Sequence, residues 1–318
     1  MLGGTAFLGR EIARNALERG HRVTCAARGS APPPDGTELV RVDRDEEDGL
    51  APLAGRRWDG VIDVARQPGH VRRAVRDVAA AHRVFVSSGN AYADFSSIEQ
   101  SEDAPTLAPL RADTMASDED YGAAKVACEQ AMLAAGPAAV VRSGLIGGPG
   151  DWSGRTGYWP WRFAHPVEPE VVVPDDLGFP CAMIDVRDLA AWLVDLAERR
   201  VEGVFNATGP TTDFATVLAA SAAVAGSSAR PRPVPVDRLR ELGIGGWMGP
   251  SSLPLWIDDP DWRGFATMDT RRARAKGLMT RPLEDTLGAA LAWEEQERTE
   301  PRGCGLTDAD ELRVLGAV

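Results

Sequence analysis

Lysine is nearly missing from this chain: Lys125 and Lys276 stand beside 33 arginines. Aromatic residues are sparse as well, at 6%, with only three tyrosines. The four cysteines (Cys25, Cys128, Cys181, Cys304) follow neither a paired rhythm nor a metal-binding spacing. That argues against a disulfide scaffold and points to reduced thiols in a cytoplasmic protein. Four scattered histidines supply no ligand pair, so no metal site is expected. No apolar run is long enough to cross a bilayer, and no signal peptide precedes the first glycines, so no membrane partner is expected. A net charge of −12 argues against nucleic acid, which demands a concentrated basic face. Oligomeric state is not legible at this level.

What is present has an ordinary globular balance, 44% hydrophobic and 26% charged over 318 residues. This length suits one large domain with a smaller lobe. The first ten residues, Met-Leu-Gly-Gly-Thr-Ala-Phe-Leu-Gly-Arg, run into a helical pattern over 11–19. Gly3, Gly4 and Gly9 therefore fall where a strand turns sharply into a helix. Glycines there admit close approach of a pyrophosphate to backbone N–H groups, and the helix N-terminus adds partial positive charge. Gly20 stops the helix, and 21–27 reads as the next strand of a βαβ unit. Only Met1 and Leu2 precede Gly3, short of the roughly five residues usual for a strand. The start therefore reads as lying inside the first strand.

Strands and helices then alternate. Residues 39–42 form a strand ending at Asp43, 58–64 another, and a helix is expected from 70 to 81. Residues 83–86 are a continuous apolar strand ending at Ser87-Ser88. A helix covers 121–135, and 138–142 is a further strand. The pattern describes a doubly wound parallel α/β sheet of the Rossmann type, covered by helices on both faces. The dinucleotide-binding domain is expected over 1–150, with 183–208 returning to it. Segments 151–182 and 209–318 are expected to make a smaller substrate lobe. Ligands of such sheets bind beyond the carboxyl ends of the strands, where the Gly3–Gly9 loop, Ala65, Ser88 and Ser143 converge.

The chemistry hangs on Tyr121-Gly122-Ala123-Ala124-Lys125. Helical residues four apart share a face, so phenol and ammonium point the same way. A neighbouring cation favours phenolate and makes a tyrosine a usable proton donor and acceptor. In a chain so partial to arginine, lysine at this position is informative, because it serves ribose hydroxyls as a point charge where arginine's planar fork does not fit.

Gly3-Gly4-Thr5-Ala6-Phe7-Leu8-Gly9-Arg10, Ser87-Ser88 closing a strand, and Tyr121-x-x-x-Lys125 together resemble the short-chain dehydrogenase/reductase superfamily. Within it the chain is similar to the extended or atypical branch, the NAD-dependent epimerase/dehydratase family. The resemblance continues through Arg142-Ser143-Gly144-Leu145-Ile146-Gly147-Gly148-Pro149-Gly150-Asp151, Ile184-Asp185-Val186-Arg187-Asp188-Leu189-Ala190 and Phe205-Asn206-Ala207-Thr208-Gly209-Pro210. It covers about the first 210 residues well. Ala6 departs from it by replacing the central glycine, and Ser143 by standing where proline is common. The resemblance implies that Tyr121 is the general acid/base, that Lys125 holds the nicotinamide ribose, and that Ser88 hydrogen-bonds the substrate oxygen, with Ser87 as the neighbouring alternative. It also implies cofactor contacts from Gly3, Gly4, Thr5, Ala6, Phe7, Leu8, Gly9, Ala65, Ser87 and Ser143, with Asp43 on the adenine. Asn90 and Tyr92 follow on the same loop and either line the site or simply cap and pack.

Cofactor choice follows from the end of the second strand. NAD binders place an acidic residue there to accept the ribose 2′-OH. Here the candidates are Ala26, Ala27 and Arg28, and a guanidinium pairs with a 2′-phosphate through its fork. This favours NADP, with NAD as the alternative. In the second half, Arg155 and Arg162 lie in an aromatic-rich stretch and serve as candidate substrate anchors, and Arg187 is a third. Gluing the lobe to the sheet is the competing role for those aromatics. Two function classes remain. One is an NAD(P)-dependent oxidoreductase, epimerase or dehydratase acting on a sugar or secondary metabolite. The other is a non-catalytic NADP-binding regulator or scaffold.

Overall fold

The computed structural model describes residues 1–318. Six strands, β1 (Thr24–Ala27), β2 (Glu38–Arg41), β3 (Val61–Asp63), β4 (Arg83–Ser88), β5 (Ala138–Ser143) and β6 (Gly203–Ala207), run parallel. Their spatial order is β2-β1, then Leu2, then β3-β4-β5-β6. The Met1–Gly3 segment joins the two parts: Met1 O accepts Ala26 N–H and Gly3 N–H donates to Ala26 O on one side, while Leu2 bonds to Ile62 and Val64 on the other. The Met1 ammonium donates to Thr24 O at 2.8 Å, and burial lowers its pKa.

Helices cover both faces. On one side lie α1 (Phe7–Glu18) and, after α2 (Pro68–Asp77), α3 (Tyr121–Ala134) and α4 (Tyr158–Ala164), the later helix α5 (Val186–Glu198). Leu8 and Ile12 of α1 meet Leu189 and Leu193 of α5 in one core with Val84, Val86 and Val141. On the other side, α2 and α3 bury Val71, Cys128 and Met132 against Phe85 and Val140. Alternate strand residues thus feed opposite faces, the two-residue period of a strand buried on both sides. This is the doubly wound α/β sheet that the alternation predicts.

Three details differ from the sequence reading. The stretch 58–64 is interrupted at Asp59-Gly60, leaving Arg57–Trp58 as a separate short strand. α2 stops at Asp77 rather than 81, because Ala79–Ala80 is captured as a short strand pairing with Arg57–Trp58. Alanine's helix preference yields there to sheet pairing. Finally, although a core of 23 residues within 145–314 fills the smaller lobe, Ala273 and Leu278 pack into the sheet's core. The segment around them belongs with the larger unit, not with the lobe expected over 209–318.

Candidate functional site

The glycine loop is built by close approach. A Cβ on Gly9 would lie 2.0 Å from Gly3 O, so only glycine lets the first turn of α1 sit on the loop. Ala6 is extended, at φ −134° and ψ 147°, a conformation open to any L-residue, so its departure from the glycine pattern costs the backbone nothing. The N-terminus of α1 has no side-chain cap and no acidic residue in its first turn. By contrast, α5 is capped by Asp185. The free N–H groups and dipole of α1 fit a pyrophosphate.

α3 begins with Tyr121, and its close packing also depends on a glycine. A Cβ on Gly122 would stand 2.2 Å from Asn90 O, so the first turn of α3 rests directly on the Ser88–Asn90 turn. The start of α3, with Tyr121, is thereby set against the turn that follows Ser88. Lys125 is 3% exposed. It donates to Ala65 O at 2.7 Å and Val86 O at 2.8 Å, which leaves one of its three N–H groups for a ligand. Its Nζ lies 5.7 Å from the centre of the Tyr121 ring. Arg66, which sequence reasoning missed, places a second cation 5.2 Å from the same ring.

Strand parity separates the two serines. Ser87 shares the side of Phe85, and its hydroxyl donates to Glu129 Oε1 of α3 at 2.5 Å. Glu129 is also held by Arg142 at 3.0 and 2.8 Å. Ser87 is therefore committed to a buried ion pair, and its side chain is withdrawn from the cofactor role expected of it. Ser88 points the other way and donates to Asn90 Oδ1 at 2.8 Å. Glu129 continues the Tyr121–Lys125 stripe by one more helical turn, a signal readable from spacing alone.

Beyond the end of β1, Arg28 is exposed, and its charge acts on Asp45. Asp43 is exposed and accepts the N–H of Asp45, a turn-closing contact. Ala65 is buried and lends its carbonyl to Lys125. The Ser143 hydroxyl is turned to Gly144 O. Missed by the sequence reading, Arg44 forms a two-pronged pair with the fully buried Asp63 at 2.8 and 2.7 Å, and Asp63 also accepts Ala65 N–H, fixing that loop.

Two of the expected substrate anchors are spent elsewhere. Arg162 is 0% exposed. It pairs with Asp308 and Glu311 at 2.8 Å and donates to Leu306 O, so it holds the C-terminal helix rather than a ligand. Arg187 grips Asp185 at 2.8 and 2.6 Å. Of the two roles open to Tyr92, the structure shows packing: it is 1% exposed and donates to Asn206 Oδ1. Arg155 makes no ion pair, and its Nε donates to Ser153 Oγ at 3.1 Å. No group of three or more His, Cys, Asp or Glu is arranged to hold a metal, and no helix is long and apolar enough to cross a membrane.

No curated protein matches the sequence. Among solved structures, an epimerase candidate from Burkholderia cenocepacia J2315 matches at TM-score 0.69 and 22% identity, covering 92% of this chain and 95% of that one. UDP-glucose 4-epimerase of Thermotoga maritima, solved with UDP-glucose, matches at 0.66 and 15%, covering 93% and 97%. The enzyme WbmG of Bordetella bronchiseptica, solved with NAD and UDP, matches at 0.66 and 17%, covering 93% and 94%. At these identities the likeness is one of fold. The sequence itself goes further, because residues 1–208 match the NAD dependent epimerase/dehydratase family. The chain belongs to the NAD-dependent epimerase/dehydratase family of short-chain dehydrogenase/reductase enzymes.

Proposed function

We propose that the chain is an NADP-preferring enzyme acting at a hydroxyl- or carbonyl-bearing carbon of a small molecule, a sugar or secondary metabolite, through Ser88, Tyr121 and Lys125. The observation that carries this reading is the placement of Lys125. Its ammonium is pinned by two main-chain carbonyls beside the Tyr121 ring, on the helix that rests on the Ser88 turn.

A dinucleotide would be held by the open N-terminus of α1 at its pyrophosphate, by the remaining N–H of Lys125 at the nicotinamide ribose, and by Arg28 at a 2′-phosphate. When bound, its nicotinamide supplies or accepts hydride. Tyr121 takes the proton of a substrate hydroxyl as that carbon is oxidised, or returns it to a carbonyl oxygen on reduction. Ser88 donates to the same substrate oxygen as charge develops there, exchanging its present bond to Asn90 for one to the ligand. The solved relatives with UDP-glucose or UDP make sugar nucleotides the first substrates to try.

Nicotinamide absorbance, followed across a panel of hydroxy and carbonyl substrates in wild type and Tyr121→Phe, tests this reading. The expected result is NADP(H)-linked turnover that falls by about 10²–10⁴-fold in the variant, with coenzyme binding retained. Equal activity in both proteins removes Tyr121 from the mechanism. Tight NADP binding without turnover of any substrate favours a regulator.

A further inference from the structure

Resting on the assignment of Tyr121 as the reacting group, we propose that Arg155 and Trp247 form an oxyanion subsite beside it, which selects substrates carrying a carboxylate or phosphate next to a ring.

The buried arginines of this protein are otherwise compensated. Arg44 faces Asp63, Arg142 faces Glu129, and Arg162 faces Asp308 and Glu311. Arg155 is half-buried and has no ion-pair partner of this kind. The carboxylate nearest in sequence, Asp151, is fully engaged: one oxygen accepts Ser153 N–H and O–H, the other Thr156 N–H and O–H. Nε of Arg155 is steadied by Ser153 Oγ, while neither of its Nη groups has a protein acceptor. Burial depresses its pKa, with Asp151, Cys304 and Tyr121 as the opposing charges. A cation left uncompensated in a partly desolvated place is costly unless a ligand completes it.

The surroundings place that guanidinium at the site. Its loop backs onto the glycine loop, where a Cβ on Gly150 would touch the Phe7 ring at 3.3 Å. On the other side, Cys304 Sγ donates to Ser153 O. The guanidinium lies 5.0 Å from the centre of the Trp247 ring. Trp247 meets Phe265 edge to face at 5.2 Å, and Phe265 meets Phe95 at 5.0 Å. Three residues on, Met268 lies against Gly89, next to Ser88. An aromatic wall thus runs from the serine turn to the unpaired cation. Trp247 holds a left-handed backbone, φ 65°, a strain that tends to persist where a side chain must be aimed. A ring lies on such a wall while an adjoining oxyanion takes the two free Nη groups as a two-pronged acceptor.

The test is direct binding, by calorimetry and tryptophan fluorescence, of benzoate, phenyl phosphate, uridine 5′-diphosphate and neutral benzyl alcohol to the NADP-loaded protein. Wild type, Arg155→Gln, Arg155→Lys and Trp247→Leu are compared. Arg155→Gln is expected to weaken the charged probes by about 10–100-fold and leave benzyl alcohol unchanged. Arg155→Lys is expected to retain part of the affinity, and Trp247→Leu to weaken every ring-bearing probe. The ranking of the three anions separates carboxylate, phosphomonoester and diphosphate ligands. Because Arg155→Gln removes an uncompensated charge, its Tm is expected to hold or rise. Anion affinities unchanged in Arg155→Gln, or benzyl alcohol binding as tightly as the anions, overturn the proposal. Tyr121→Phe separates the two readings: it should abolish turnover while sparing probe binding. Anion binding that depends on Arg155, without any NADP(H)-linked turnover, sinks the enzymatic reading and leaves the subsite standing.

Discussion

Tyr121 and Lys125 point together because one helical turn separates them, and such local spacing is what a sequence displays most faithfully. The glycine loop at the start of α1 and the four-residue spacing on α3 are local patterns of this kind. Arg162 was not legible in this way, because what decides its role is Asp308, 146 residues away, and no local pattern announces that partner. The same limit hid the pairing of Ser87 with Glu129. Only the register of β4 against α3 distinguishes the two adjacent serines, and this gives a sharp contrast. Ser88→Ala should reduce turnover while leaving Tm unchanged. Ser87→Ala should leave turnover largely intact and lower stability by about 1–3 kcal/mol, since it strips a donor from a buried carboxylate. Thermal melts and steady-state rates on the two variants check this. Arg28→Ala should weaken NADP binding by about tenfold, as expected for loss of a charge-assisted contact at an exposed site. NAD binding should stay nearly unchanged, and paired titrations with the two coenzymes show the difference. A uniform loss for both coenzymes would count against a 2′-phosphate role.

At the scale of elements, each helix that positions the site is set by a close backbone approach rather than by its apolar stripe. α3 lies on the Ser88–Asn90 turn only because residue 122 lacks a side chain. Gly122→Ala should therefore cost about 1–3 kcal/mol through displaced backbone and lower turnover disproportionately, because Tyr121 is the neighbouring residue. Comparing kcat loss with Tm loss against a surface Gly→Ala control at Gly288, where a Cβ meets nothing within 4 Å, isolates the positional effect. The run to position 81 shows where sequence reading of elements fails. Val78 through Ala81 looks helical by composition, and only the presence of Arg57–Trp58 alongside converts it to strand. The smaller lobe was the least legible part. Its core draws on residues from Leu145 to Val314, so no window of sequence shows the pattern whole.

At the scale of the whole molecule, acid stability should depend on two histidines. His82 is 1% exposed, with Nε2 lacking a partner. Burial lowers its pKa below the ordinary 6.5, against the opposing pull of Glu202 and with Arg200 adding to the shift. Burial likewise lowers the pKa of His70, despite its bond to Asp45. A neutral native imidazole and an unfolded chain that takes the proton more readily mean that stability is complete above about pH 6.5. It declines as pH falls below that value, by up to about 1.4 kcal/mol per pH unit for each group until the native form titrates. Melting wild type and His82→Gln between pH 7.5 and 5.5 should show a shallower decline in the variant. Identical slopes would remove His82 from the account.

Met1, Leu2 and Gly3 stitch together two panels of the sheet, the one that carries Arg28 and the one that supports Tyr121, by main-chain hydrogen bonds on both sides. On one face of that seam Leu2 and Ala26 pack with Val42, Leu50, Leu53 and Val61 in one core. A dinucleotide straddling the switch point would grip one panel by its adenosine end and the other by its nicotinamide end, acting as a clasp. Occupancy at the coenzyme cleft would then add a second tie across the same seam, beside the main-chain one.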